Sequence, residues 1–252
     1  MKDILDYLSQ HRLLHHENHG ITVCNVEEKE AGITLCKALL AEIINKKTML
    51  YLSGGSLQTL YEQLAQEDLV HPGAVGLIDE RYGEPMHPNS NEKMISDTGF
   101  LRILSLQNIP FYPVLQTGKG REEVAQAYDG KVRTWQAVYQ KHVGLIGIGP
   151  DGHISSIIPN RSDFHNPWFD ADRQHLLVSE FNDPESKYKE RVGMTFLGLS
   201  MLDILLVLVF GDAKQKTLEK VFEDGPESEI PARFFKRPEI AEKTLFITDQ
   251  RV

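Results

Sequence analysis

Four short stretches of this chain hold reactive side chains at turns where an apolar run ends. Residues 147–153 read GIGPDGH and place Asp151 and His153 two positions apart. Histidine exchanges its proton near neutral pH and suits general acid–base work. Asp151 could orient the imidazole or hold a ligand hydroxyl, and Ser155 and Ser156 follow where they could cap a helix or donate. Ser53-Gly54-Gly55-Ser56 combines two hydroxyls with two glycines, whose bare backbone can approach a ligand closely. Free N–H groups at a following helix start attract an anion. This stretch is neither GxGxxG nor a Walker P-loop, and a plain tight turn with Ser56 as N-cap fits it too. Asp79-Glu80-Arg81 gathers charges that are costly to bury without a purpose. The Arg81 fork matches phosphate or carboxylate; an ion pair closing the loop is the structural alternative. Lys214 sits at a predicted helix start, against the usual dipole preference, which makes sense against a bound phosphate. A solvated lysine is its ordinary reading.

The elements that must position these residues follow from hydropathy. Apolar runs at Thr48–Leu52, Val75–Ile78, Val143–Ile148, Ile204–Phe210 and Thr244–Thr248 read as strands covered on both faces. Helical patterns lie between them at Glu27–Asn45, Ser56–Gln66, Arg121–Gln140 and Asp212–Glu223. The alternation predicts an α/β fold with a doubly wound, mostly parallel sheet and helices on both faces. Such sheets bind ligands beyond the carboxyl ends of their strands, which is where the four stretches fall. Ser90 or Asn91 could cap a further helix after His87-Pro88-Asn89. The polar segment Asn160–Glu190 reads as irregular loop. No linker composition divides the 252 residues, so residues 1–252 read as one domain.

Bulk composition narrows the function. A formal net charge of −9 makes nucleic acid a poor partner, while a local pocket can still hold a small anion. Cys24 and Cys36 form no CxxC pair and fit a reducing compartment. The charged N-terminus lacks an apolar signal core, and no apolar run approaches the length of a membrane span. A cytoplasmic protein with no membrane partner is expected. His11, His15, His16 and His19 invite a metal reading if His11 and His15 share a helix face, but no Cys or acid pattern accompanies them, and a solvated amphipathic helix is preferred.

The ordered set LSGGS (52–56), DERYGEPMHPNSN (79–91), GIGPDGHISSIIP (147–159), RVGMT (191–195), GDAKQ (211–215) and PAR (231–233) resembles the 6-phosphogluconolactonase family and its relative, glucosamine-6-phosphate deaminase. The resemblance implies a Rossmann-like fold of the phosphosugar isomerase and CoA-transferase type. It implies hydrolysis of 6-phosphoglucono-1,5-lactone in the oxidative pentose phosphate pathway, with a phosphorylated sugar as substrate and no metal or organic cofactor. On that pattern His153 is the general base, with Asp151 and Asp79 beside it in the catalytic set. The substrate phosphate falls to Ser53, Gly54, Gly55, Ser56, Arg81, Arg191 and Lys214. The deaminase usually carries DEY in place of Asp79-Glu80-Arg81, and a glutamate where Ile158 stands, so the lactonase is favoured. Leu57-Gln58 and Ile157-Ile158 depart from a typical lactonase, and Val192-Gly193-Met194 leans toward the deaminase. A non-catalytic phosphosugar-binding protein is the third reading; it could dispense with His153 or Asp79. Oligomeric state, monomer or small homo-oligomer, is left open.

Overall fold

The computed structural model describes residues 1–161, 176–182 and 188–252. Helix α1 (Lys2–Gln10) precedes a short pair, β1 (His16–Asn18) and β2 (Ile21–Asn25). Then come α2 (Lys29–Ile43), β3 (Thr48–Leu52), α3 (Gln58–Leu64), β4 (Ala74–Leu77) and β5 (Asp79–Arg81). Helices α4 (Asn91–Asp97), α5 (Phe100–Leu106) and α6 (Arg121–Val138) lead to β6 (Lys141–Gly147). Strands β7 (Val178–Asn182) and β8 (Glu190–Met194), helix α7 (Phe196–Ser200) and β9 (Ile204–Val209) follow. The described chain closes with α8 (Gln215–Phe222), α9 (Pro238–Ala241) and β10 (Thr244–Thr248).

The main sheet has the order β1-β2-β10-β9-β6-β3-β4, and every neighbouring pair except β1 with β2 is parallel. Strands β3, β4, β9 and β10 are buried at every position, as their unbroken apolar runs require. Crossovers between parallel strands are right-handed, so the direction of travel selects the face. The steps β2→β3→β4 run one way along the sheet, and β4→β6→β9→β10 run back. Their connecting helices therefore cover opposite faces, which is the doubly wound arrangement expected.

A second, antiparallel sheet of order β5-β8-β7 grows from the end of β4, with only Ile78 between β4 and β5. Helix α6 braces it. Asp129 Oδ1 accepts the backbone N–H groups of Leu177 and Val178 at 2.7 and 3.1 Å, and Arg121 reaches both Glu180 and Glu190.

Several local expectations are corrected. The stretch Asn160–Glu190 is not all irregular, because Val178–Asn182 pairs with β8; residues 162–175 and 183–187 of it lie outside the described residues. The helix expected from Ser56 opens as a 3-10 turn at Gly55–Leu57, and α3 is capped by no side chain, so Ser56 is not its N-cap. Ser90 does cap α4, accepting the Lys93 N–H. Helix α1 ends at Gln10, and the His15 ring bonds to Leu13 O, so His11 and His15 share no helix face. Among the described residues no helix is long and apolar enough to cross a membrane.

Candidate active site

Strands β3 and β6 are neighbours whose following connections leave in opposite directions, so a crevice opens beyond their carboxyl ends. A cavity of about 240 Å³ occupies that crevice. Ser53, Gly54, Gly55 and Ser56 form one wall, directly after β3. Ser53 N–H donates to Leu145 O of β6, and Tyr61 Oη donates to Ser53 O at 2.6 Å, so the loop is tied at its base. Gly55 has φ +65°, a conformation that glycine takes without strain. The Ser53 hydroxyl is buried and finds no partner among the described residues.

The opposite wall comes from the turn after β6. Gly152 has φ +86°, and its carbonyl accepts the Ala232 N–H, so the Pro231-Ala232-Arg233 segment buttresses the turn. His153 packs over Gly149 so closely that a Cβ there would lie 2.1 Å from the ring. Its Nδ1 meets Asp151 Oδ1 at 2.6 Å, and the same oxygen accepts the His153 backbone N–H at 3.1 Å. Partial burial acts to raise the Asp151 carboxyl, but the hydrogen bond and charge of His153 and nearby backbone N–H groups outweigh it, and it falls to about 2. An ionised Asp151 fixes the proton of a neutral imidazole on Nδ1. Nε2 is then left with a free electron pair, the arrangement of a general base.

Asp79, at the start of β5, closes the floor. Its carboxyl is raised by burial, against the charges of Arg81, Arg191 and His153 and a hydrogen bond from Ser156. Arg81 and Arg191 both line the cavity, from β5 and β8. The Arg81 guanidinium donates to Asn89 O and lies over the Tyr188 ring; its buried Nε has no partner among the described residues. Lys214 reaches in from the 3-10 turn before α8 and donates to Ile148 O at 2.6 Å. Burial holds its ammonium below the usual lysine range, opposed by the charge of Asp151. Of the residues that the resemblance placed in the catalytic and phosphate-binding sets, all line this cavity except Asp151, which stands behind His153.

Three further residues contribute in ways the sequence did not assign, although Ser155 was named there as able to cap or donate and Glu80 as a charge costly to bury. Asn91 lines the cavity, although its position suggested only a helix cap. Ser155 also lines it, at φ +54°, with its hydroxyl donating to Met194 O rather than capping a helix. Glu80 is fully buried: Oε1 accepts the N–H groups of Arg81 and Asn91 at 2.7 and 2.6 Å, and Oε2 that of Glu92 at 2.9 Å. The available signal was an acid in a three-residue polar strand followed by the helix-start residues Ser90 and Asn91. The arrangement combines an imidazole held by an ionised carboxylate with three cations around a cavity of about 240 Å³.

The family model described as glucosamine-6-phosphate isomerases/6-phosphogluconolactonase matches residues 28–246. A 6-phosphogluconolactonase of Helicobacter pylori is 28% identical over 182 residues, covering 71% of this chain and 74% of its own. One of Synechocystis is 28% identical over 198 residues, covering 73% and 76%. The structure of a 6-phosphogluconolactonase from Plasmodium vivax superposes with a TM-score of 0.73 at 18% identity, covering 100% of this chain and 96% of the other.

Proposed function

Because the chain belongs to the family of glucosamine-6-phosphate isomerases and 6-phosphogluconolactonases, we propose that it hydrolyses 6-phosphoglucono-1,5-lactone to 6-phosphogluconate, a step of the oxidative pentose phosphate pathway. The observation that carries this reading is the His153–Asp151 pair, 2.6 Å apart, in one cavity with Arg81, Arg191, Lys214 and the serine-glycine loop. The cations and the loop hold the phosphate at one end. At the other end His153 Nε2 takes a proton from water, and the hydroxide adds to the C1 carbonyl. The tetrahedral adduct then collapses, the bond from C1 to the ring oxygen breaks, and His153 returns its proton to that oxygen. Asp151 keeps the imidazole in the required tautomer and stabilises its charge while it carries the proton. Asp79 borders the same space and would face the sugar ring.

The reading treats residues 1–252 as one catalytic unit in the cytoplasm. The bracing of the small sheet by α6 supports a single unit, and the buried free thiols Cys24 and Cys36 suit a reducing compartment. No cofactor enters the reaction as written. The test is parallel turnover of the phospholactone and of glucosamine-6-phosphate by the purified chain. Acid release from the lactone supports the proposal. Ammonia release from the amino sugar alone would replace it with the deaminase reading, and binding without turnover with the sensor reading.

A further inference from the structure

His87 belongs to the polar loop between β5 and α4, and the reaction above gives it no task. It is not among the residues that line the cavity. Its ring nevertheless closes a circuit of hydrogen bonds around a residue that is. Nε2 meets Arg81 O at 2.9 Å, Asn89 N–H donates to Nδ1 at 3.3 Å, and Arg81 Nη1 donates to Asn89 O at 3.1 Å. A carbonyl oxygen only accepts and a backbone N–H only donates, so these partners require a neutral imidazole with its proton on Nε2. That tautomer is the opposite of the one at His153, and it leaves neither ring nitrogen open for proton transfer. The ring also lies against the bare backbone of Gly83, where a Cβ would stand 2.8 Å from it. Ser90 N–H donates to His87 O, and Ser90 then caps α4, so the loop is tied on both sides of the ring.

Arg81 gains from such a support. Its guanidinium ends a long stem with much rotamer freedom, and holding it in place before an anion arrives removes an ordering cost from binding. The carbonyl that receives Nη1 belongs to Asn89, an exposed residue in a turn. The His87 ring links that peptide back to the backbone of Arg81 itself. We infer that His87 is a positioning residue, which holds the Asn89 carbonyl against the Arg81 guanidinium and so sets Arg81 for the substrate phosphate. This rests on the phosphosugar reading above, in which Arg81 binds that phosphate.

The test is a double-mutant cycle of His87→Ala and Arg81→Ala, read on 6-phosphogluconolactone and on unphosphorylated gluconolactone. His87→Ala is expected to raise KM for the phospholactone about three- to tenfold, with kcat within about twofold of wild type and the unphosphorylated lactone unaffected. In the Arg81→Ala background the same substitution is expected to change KM by less than about twofold, because the group it positions is gone. An equal loss on both lactones, a full-sized effect in the Arg81→Ala background, or an unchanged KM in His87→Ala each overturns the inference. If His87→Ala does not fold, Gly83→Ala puts the same question, since its Cβ pushes the ring away from Arg81 O. The same KM rise, confined to the phospholactone, supports the inference, and an unchanged KM in folded Gly83→Ala overturns it. A wild type that turns over no phospholactone at all refutes the underlying function instead, so the two failures are distinguishable.

Discussion

Arg81 and Arg191 stand directly opposite each other on the antiparallel strands β5 and β8, both facing the cavity. Like charges in cross-strand register repel, and an anion bound between them would turn that cost into binding. Replacing Arg81 with Ala is expected to raise KM for the phosphorylated lactone by about tenfold or more, while unphosphorylated gluconolactone is turned over at an unchanged rate. Steady-state kinetics on both lactones decide this; an equal loss on the two would place Arg81 away from the phosphate.

Removing the imidazole should abolish chemistry and spare the fold. His153→Ala is expected to lower kcat by about 10²–10⁴-fold with a thermal midpoint close to wild type. The ring is only partly buried and borders the cavity, so little folding energy rests on it. A variant that keeps its rate would remove the base assignment.

A subtler substitution reaches the same group from behind. A Cβ at Gly149 would lie 2.1 Å from the His153 ring, and the ring can yield more easily than backbone. Gly149→Ala therefore leaves a folded protein with a displaced imidazole, and kcat should fall by about 10²-fold. Normal kcat in a folded Gly149→Ala protein would show that the imidazole position seen here is not the working one.

Asp151→Asn preserves shape but no longer dictates which ring nitrogen holds the proton. A kcat loss of about 10²-fold or more is expected, with KM little changed. The carboxyl's lowered value also gives a stability term with a definite sign. It is present above the ordinary carboxylate value of 3.8 and fades as pH falls through about 2, so acid unfolding of Asp151→Asn should lack it.

Glu80 should make stability fall as pH rises. Burial pushes its carboxyl up to about 7, against three backbone N–H bonds, and Asp79 acts in the same direction. The folded chain then holds this proton more tightly than the unfolded chain, whose glutamate titrates at the ordinary 4.5. Stability therefore declines between about pH 4.5 and 7, and Asp79, also raised by burial, adds the same sign. Melting curves of wild type and Glu80→Gln across that range test it: the variant should show a slope flatter by a few degrees. Parallel slopes would remove Glu80 from the account.

Much of this was legible because burial on both faces leaves unbroken apolar runs. Thr48–Leu52 and Thr244–Thr248 end where hydropathy ends them. The glycines and charges beyond those runs marked the site, since turns at strand ends are where polar groups stay functional. What escaped notice lacks that signal. Strand β5 is Asp-Glu-Arg, three residues held by pairing with β8 and by Glu80's grip on α4, neither of which leaves an apolar trace. Strand β7 mixes polar and apolar residues, and β1 is polar throughout. Asn91 read as a helix-start residue because its contact with Gly54 crosses two elements distant in sequence.

The register of β3 against β6 pairs Leu52 with Leu145, and the two loops that flank the cavity spring from the next few residues of each strand. Backbone hydrogen bonds therefore set the span between the serine-glycine loop and the imidazole, as a ruler cut in steps of one residue. A one-residue slip to shorten the gauge would turn every side chain of the strand to the wrong face, so the measured length resists gradual change.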